Sequence, residues 1–134
     1  MIDMTLEMAE KVLRAAQAKA KALGSPMTVT VVDEAGRLVL CARGDGTGFF
    51  SPDTSRGKAV AAAAFRRSTK EMSEAGKDHS LFWHALSGLV PGQIMPSIGG
   101  VPITLNGRFI GAIGCGGGTG EQDHQCAAAG AAAV

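Results

Sequence analysis

Two apolar runs, Val101–Leu105 and Arg108–Ile113, are separated only by Asn106-Gly107. Asn-Gly accepts positive φ at both central turn positions, so it specifies a type I′ turn, and a two-residue connection can join only antiparallel neighbours. The pair therefore predicts a β-hairpin. A second hairpin precedes it: Met27–Val32 is rich in β-branched residues, Asp33-Glu34-Ala35-Gly36 has turn chemistry, and Arg37–Ala42 resumes an apolar strand. Helices surround both. Leu6, Ala9, Leu13, Ala16, Ala20 and Leu23 recur at helical spacing, with Thr5 as N-cap and Gly24 then Pro26 as the stop. Ser51-Pro52 reads as an N-cap and first position for an Ala-rich helix over Asp53–Arg67. Ser68 with Glu71 forms a capping-box pattern for a short piece that Gly76 stops, and Asp78–Leu86 is a further short helix. Gly114-Cys115-Gly116-Gly117-Gly118-Thr119-Gly120 then leads into an Ala-rich C-terminal helix, with Thr119 and Gln122 spaced as a capping box. Hairpins in place of crossovers predict an α+β fold: an antiparallel sheet of four to five strands built from two hairpins, with N- and C-terminal helices and central helices packed on it. At 134 residues one domain over 1–134 is expected.

Composition narrows the function classes. Thirteen Lys+Arg stand against twelve Asp+Glu, a net charge of +1, and aromatic residues are scarce at 4%. A nucleic-acid partner is not expected, since both the basic field and the stacking platforms are missing. Cys41, Cys115 and Cys126 are an odd set without C-x-x-C spacing, which fits a reducing cytoplasm and no disulfide framework. Asp3 and Glu7 interrupt any signal-peptide pattern, and no apolar run reaches the roughly 18 residues of a membrane span.

The strand, glycine run and helix N-terminus aim backbone N–H groups and a positive helix dipole at one point, chemistry suited to a carboxylate or phosphate. The run matches neither G-x-G-x-x-G nor a P-loop, and Glu121 and Asp123 would repel a polyphosphate. The bland alternative is a tight turn capped by Thr119. Arg43 and Asp45, in the loop after the first hairpin, and Lys58, in the Ala-rich helix, are candidates to converge with Gly116, Gly117, Gly118, Thr119 and Gly120 on a small-molecule ligand. For Lys58 the alternative is a solvated helix face. His79 and His84 are five residues apart, off a common helical face, so paired metal ligation is not expected. Cys115 is either an activated thiol near a helix N-terminus or a small buried hydrophobe.

Met4-Thr5-Leu6, Val31 through Leu38, Arg43 to Gly46, Lys58-Ala59, Gly99 to Ile103, Ile110 to Gly114 and above all Gly117-Gly118-Thr119-Gly120-Glu121-Gln122-Asp123 with Cys126-Ala127 resemble the GlcG/HbpS family of haem-binding or haem-degrading domains. The same residues resemble the C-terminal domain of PduO-type cobalamin adenosyltransferases. The resemblance spans nearly the whole chain. It implies an α+β antiparallel fold, assembly into homo-oligomers and, for some members, binding of haem or a related tetrapyrrole or its breakdown. Its signature falls on Arg43, Asp45, Lys58 and Gly117–Asp123. Cys115-Gly116 departs from the Val-Ser-like pairs expected in many members, which puts a hydroxyl contact there in doubt.

Three readings follow. In the first, haem sits near the sheet and the glycine run, walled by Phe49, Phe50, Phe65, Phe82 and Trp83, with His79, His84 or His124 as the candidate axial ligand. In the second, an enzyme holds a small carboxylate or enolate with the Gly116–Gly120 amides and Lys58 or Arg43, while Glu121 or Asp123 moves a proton. In the third, the glycine run and the small residues Ala127–Val134 serve subunit assembly alone.

Overall fold

The structure is a computed structural model and describes residues 3–75 and 80–134. In chain order the elements are α1 (Leu6–Leu23), β1 (Thr28–Asp33), β2 (Leu38–Ala42), α2 (Ser51–Phe65), α3 (Thr69–Ala75), α4 (Ser80–Leu89), β3 (Gly100–Leu105), β4 (Arg108–Gly116) and α5 (Gly120–Ala131). The strands form one antiparallel sheet in the order β2-β1-β4-β3, so each hairpin contributes one edge and one inner strand. Asn106 and Gly107 take φ 52° and 79°, as a type I′ turn requires. Among the described residues no helix is long and apolar enough to cross a membrane.

Helices cover both faces of this sheet. Val29, Val31, Ile113 and Cys115 point to one face, where Ala9, Val12 and Ala16 of α1 and Cys126 and Ala127 of α5 complete the main core. Thr28, Thr30, Val32 and Ala112 alternate to the other face, against α2. The buried stripe of α1 is Ala9, Val12, Ala16 and Ala20, and Leu6 stays exposed, so the helix is turned slightly from the face its spacing predicts. The choice follows volume, because Ala and Val let α1 lie close to α5.

Three local expectations change. Phe50, not Ser51, is the N-cap of α2, and the Ser51 hydroxyl is buried against Thr28 Oγ1 at 2.8 Å. Here a cross-element hydrogen bond outcompetes a local cap. The fourth strand does not end at Ile113 but continues through Gly116, so the first three glycine-run residues are sheet. Gly114 pairs with Thr30 and Gly100 and lies under α2, where a Cβ would come 1.9 Å from Ser55 O. Glycine is there to admit a neighbouring backbone, which outweighs its poor strand propensity. The helix expected over Asp78–Leu86 runs on to Leu89; its expected start at Asp78, with Gly76 and His79, lies outside the described residues.

The first hairpin is locked by one carboxylate. Asp33 Oδ1 accepts from the N–H groups of Ala35 and Arg37, and Oδ2 accepts from Arg37 Nε, each at 2.9 Å. Burial pushes the Asp33 carboxyl up, but these donors outweigh it and hold it below the ordinary value. A lowered folded value means a stabilising contribution that is complete above the unfolded pKa near 3.9 and lost as pH falls through the folded one. Asp33→Ala is expected to cost about 1–2 kcal/mol at neutral pH. In urea melts taken at decreasing pH, the gap to the parent protein closes in the acid range; a gap independent of pH would contradict the assignment.

Candidate functional site

The glycine run meets α2 at a buried ion pair. On its sheet side α2 carries only small residues, Ser51, Ser55, Ala59 and Ala62, all buried. Ser51 and Ser55 bond to Thr28 and Thr30 across the seam, the latter at 2.7 Å. Lys58 leaves the same helix and is itself buried, with only 7% of its side chain exposed. This overturns the solvated-face reading. Gly99, at φ 133°, makes room for it: a Cβ there would lie 3.1 Å from Lys58 Cδ and 2.7 Å from Cys115 O.

Lys58 Nζ donates to Cys115 O at 3.0 Å and to Asp123 Oδ2 at 3.1 Å. Asp123 Oδ1 accepts the Gly118 N–H at 2.9 Å, and Thr119 N–H donates to Gln122 Oε1 at 2.9 Å. Gln122 N–H returns to Thr119 Oγ1, completing the expected capping box. Lys58 therefore does converge with the glycine turn, through a clamp that joins α2, β4 and the start of α5. Two of the amides expected to cradle an external anion are held by the chain's own side chains. Burial raises the Asp123 carboxyl above its ordinary value, outweighing the opposing pull of Lys58 and of the Gly118 N–H.

The other candidates are more dispersed. Arg43 and Asp45 are exposed, while Thr47 ties their loop to the hydroxyls of Thr28 and Ser51 beside Gly117. Glu121 is an exposed partner of Lys70 on α3 at 3.0 Å, and this hydrogen bond and charge hold its carboxyl below the ordinary range. That makes it a poor proton acceptor at neutral pH. Burial drives the Cys115 thiol far up, and that of Cys126 up as well, so Cys115 behaves as a small core hydrophobe. Among the described residues no three His, Cys, Asp or Glu side chains gather as a metal cluster.

His84 is exposed on α4, and His124 is half-buried on α5 with its Nδ1 buried and unpartnered. His79 lies outside the described residues. The five proposed aromatic walls separate into two groups. Phe49 and Phe50 stack on each other at the surface, with centroids 4.2 Å apart. Phe65, Phe82 and Trp83 form an edge-to-face trio at 5.0–6.4 Å. With Arg67 and Ala75 this trio lines an open depression of about 450 Å³ between α2, α3 and α4. Its lining includes no residue of the glycine turn. The hydroxyl seam was not expected from the sequence, although Ser51 and Ser55 at helical spacing, opposite Thr28 and Thr30 at strand spacing, carry its signal.

Comparison with known proteins places this architecture. The sequence model described as haem degrading protein HbpS-like matches residues 4–132. The chain belongs to the HbpS-like family. An uncharacterized 15.0 kDa Citrobacter freundii protein, from the dhaT-dhaS intergenic region, is 38% identical over 90% of this chain and 84% of its own length. An HbpS double mutant from Streptomyces reticuli superposes with TM-score 0.87 at 34% identity, over 100% of this chain and 88% of the other. A solved PduOC:haem complex superposes with TM-score 0.88 at 26% identity, over 99% and 96%. As members of this HbpS-like family do, the chain builds an α+β domain on an open four-stranded antiparallel sheet.

Proposed function

We propose that this chain is a small-ligand-binding protein that takes haem or a related tetrapyrrole. The observation that carries the reading is the aromatic depression. Three rings and Ala75 offer an apolar surface of a size suited to a macrocycle, within the ~300–1,000 Å³ range of small-molecule sites. Phe65, Phe82 and Trp83 would pack against the ring system, since aromatic faces and edges favour such contacts. His84, exposed on the same short helix one residue after Trp83 and outside the lining of the depression itself, is the candidate axial ligand. Bound haem would supply an iron centre able to ligate or activate small molecules. Family membership and the haem-bound PduOC relative support the reading. The exposed apolar residues of α4, Leu81 and Leu89 among them, favour a homo-oligomeric state.

The small-acid enzyme gains no comparable support, because Glu121 and Asp123 are each committed to a lysine. An absorbance titration with haemin tests the proposal. A saturable shift of the main haem band, at one haem per chain or per symmetric pair, is expected. His84→Ala should abolish it and His124→Ala should leave it intact. An unsaturable shift indifferent to His79→Ala, His84→Ala and His124→Ala would overturn the haem reading. Progressive bleaching of the bound band with a reductant and oxygen would extend it to haem breakdown.

A further inference from the structure

Among the described residues that line the aromatic depression, Arg67 is the charged one. It follows Arg66, a non-glycine residue at φ 51° that ends α2 in the left-handed region. That turn gives the two arginines different surroundings. Arg66 lays its guanidinium over the Phe109 ring, 4.8 Å from the centroid, while Arg67 lines the depression with Phe65, Phe82 and Trp83. A left-handed arginine is an unfavourable backbone state that the surrounding structure must impose.

Arg67 is only lightly held. Its Nε donates to Glu71 Oε2 at 3.4 Å, a long contact between side chains 47% and 60% exposed, the kind of surface pair that contributes little. Among the described residues its terminal nitrogens make no hydrogen bond. A guanidinium with both terminal nitrogens free binds a carboxylate through two parallel N–H···O bonds. Among the described residues the depression thus has an apolar lining with a cationic edge at Arg67.

Resting on the proposed tetrapyrrole reading, we infer that Arg67 recognises a carboxylate on the edge of the ligand. It thereby selects a planar apolar ring bearing acid side chains over the same ring without them. It also orients the ligand, acid edge toward the α2–α3 corner and ring over the aromatic trio. Glu71, which meets only Nε, is a second carboxylate that competes weakly for the same guanidinium charge. Arg67 acts by positioning and selection, and the iron is not involved.

Free-base protoporphyrin IX and its dimethyl ester separate these ideas, since neither carries iron and they differ only in the acid groups. Their binding is followed by porphyrin fluorescence. The parent protein is expected to prefer the diacid by roughly ten- to a hundredfold, as one charge-assisted hydrogen-bonded pair provides. Arg67→Met should erase that preference by weakening the diacid far more than the diester, Arg67→Lys should restore part of it, and Glu71→Gln should tighten the diacid a few-fold. Equal weakening of both porphyrins by Arg67→Met, or no preference in the parent protein, would overturn the assignment to Arg67 while leaving the ring site standing. Failure of the parent protein to bind either porphyrin would instead overturn the ring site on which the inference rests.

Discussion

Lys58→Met is expected to destabilise the fold by about 3–5 kcal/mol at neutral pH, the cost of leaving one member of a buried ion pair alone. With a urea slope of about 2 kcal/mol/M this is a midpoint shift of about 2 M. Three groups lose their partner together: Asp123 Oδ2, which Lys58 met at 3.1 Å, the Cys115 carbonyl, and, indirectly, the glycine turn that Asp123 holds through Gly118. The effect carries a pH signature. Asp123 already has a raised folded pKa, so its ionised form is disfavoured by folding. Folding is therefore least penalised below the unfolded value near 3.9, and the penalty grows as pH rises through the folded value. Without Lys58 that penalty increases, so the deficit of the variant should shrink toward acid pH. The double replacement Lys58→Met with Asp123→Leu should recover more than half of the loss, because an apolar pair of similar volume often equals a buried ion pair. A deficit below about 1 kcal/mol in the single variant would mean that the clamp does not hold α2 to α5.

Gly114→Ala is expected to be at least as damaging, although it adds a single methyl group. A Cβ at this position would stand 1.9 Å from Ser55 O and 2.7 Å from Ala59 N, both backbone atoms of α2 that no rotamer change can move. The helix must lift, which pulls Ser55 from Thr30 and Ser51 from Thr28 and opens the face where Val32, Ala59, Ala62 and Ala112 pack. Overpacking of this kind costs about 1–3 kcal/mol where side chains can yield and more where they cannot, so about 3 kcal/mol or more is expected. Gly48→Ala is the internal control, because nothing lies within 4 Å of its added carbon and its φ is outside the left-handed region. Thermal melts of the two variants side by side decide the matter: a Gly114→Ala protein as stable as Gly48→Ala would show that α2 does not rest on the strand backbone.

These two residues also mark where the sequence could be read and where it could not. The Asn106-Gly107 turn, the Thr119–Gln122 capping box and the Thr5 and Gly24 ends of α1 are encoded within a few residues, and each forms as its local pattern predicts. Lys58 depends on an acid 65 positions away, and no local pattern reports such a partner. Gly114 and Gly116 look like loop because glycine weakens strands; at Gly114 the approach of a second backbone explains the choice, whereas at Gly116 the near neighbour is the Thr54 hydroxyl. The small residues of α2 carried that message in part: a helix with Ser51, Ser55, Ala59 and Ala62 along one side has too little apolar volume to stand off from a sheet. The glycine turn was legible as a helix start. Two of its amides, those of Gly118 and Thr119, are used internally, and that depends on where Asp123 and Gln122 turn back.

The pairing of β1 with β4 has a kinetic consequence. Each hairpin closes locally, but the sheet is completed only when Thr28 meets Gly116 and Asp33 meets Gly111, contacts between the two ends of the chain. Loop-closure entropy across the intervening helices must be met before that register brings any stabilisation. The two hairpins are therefore expected to form before they dock, with docking as the slow step. Until then each exposes an inner strand, Val29–Val32 or Ile110–Cys115, whose backbone has no partner on one side. The interval before docking is when the chain is most exposed to pairing with other copies of itself. On one face α2 spans both inner strands, and on the other α1 and α5 do so as a pair, so both layers hold the two hairpins together.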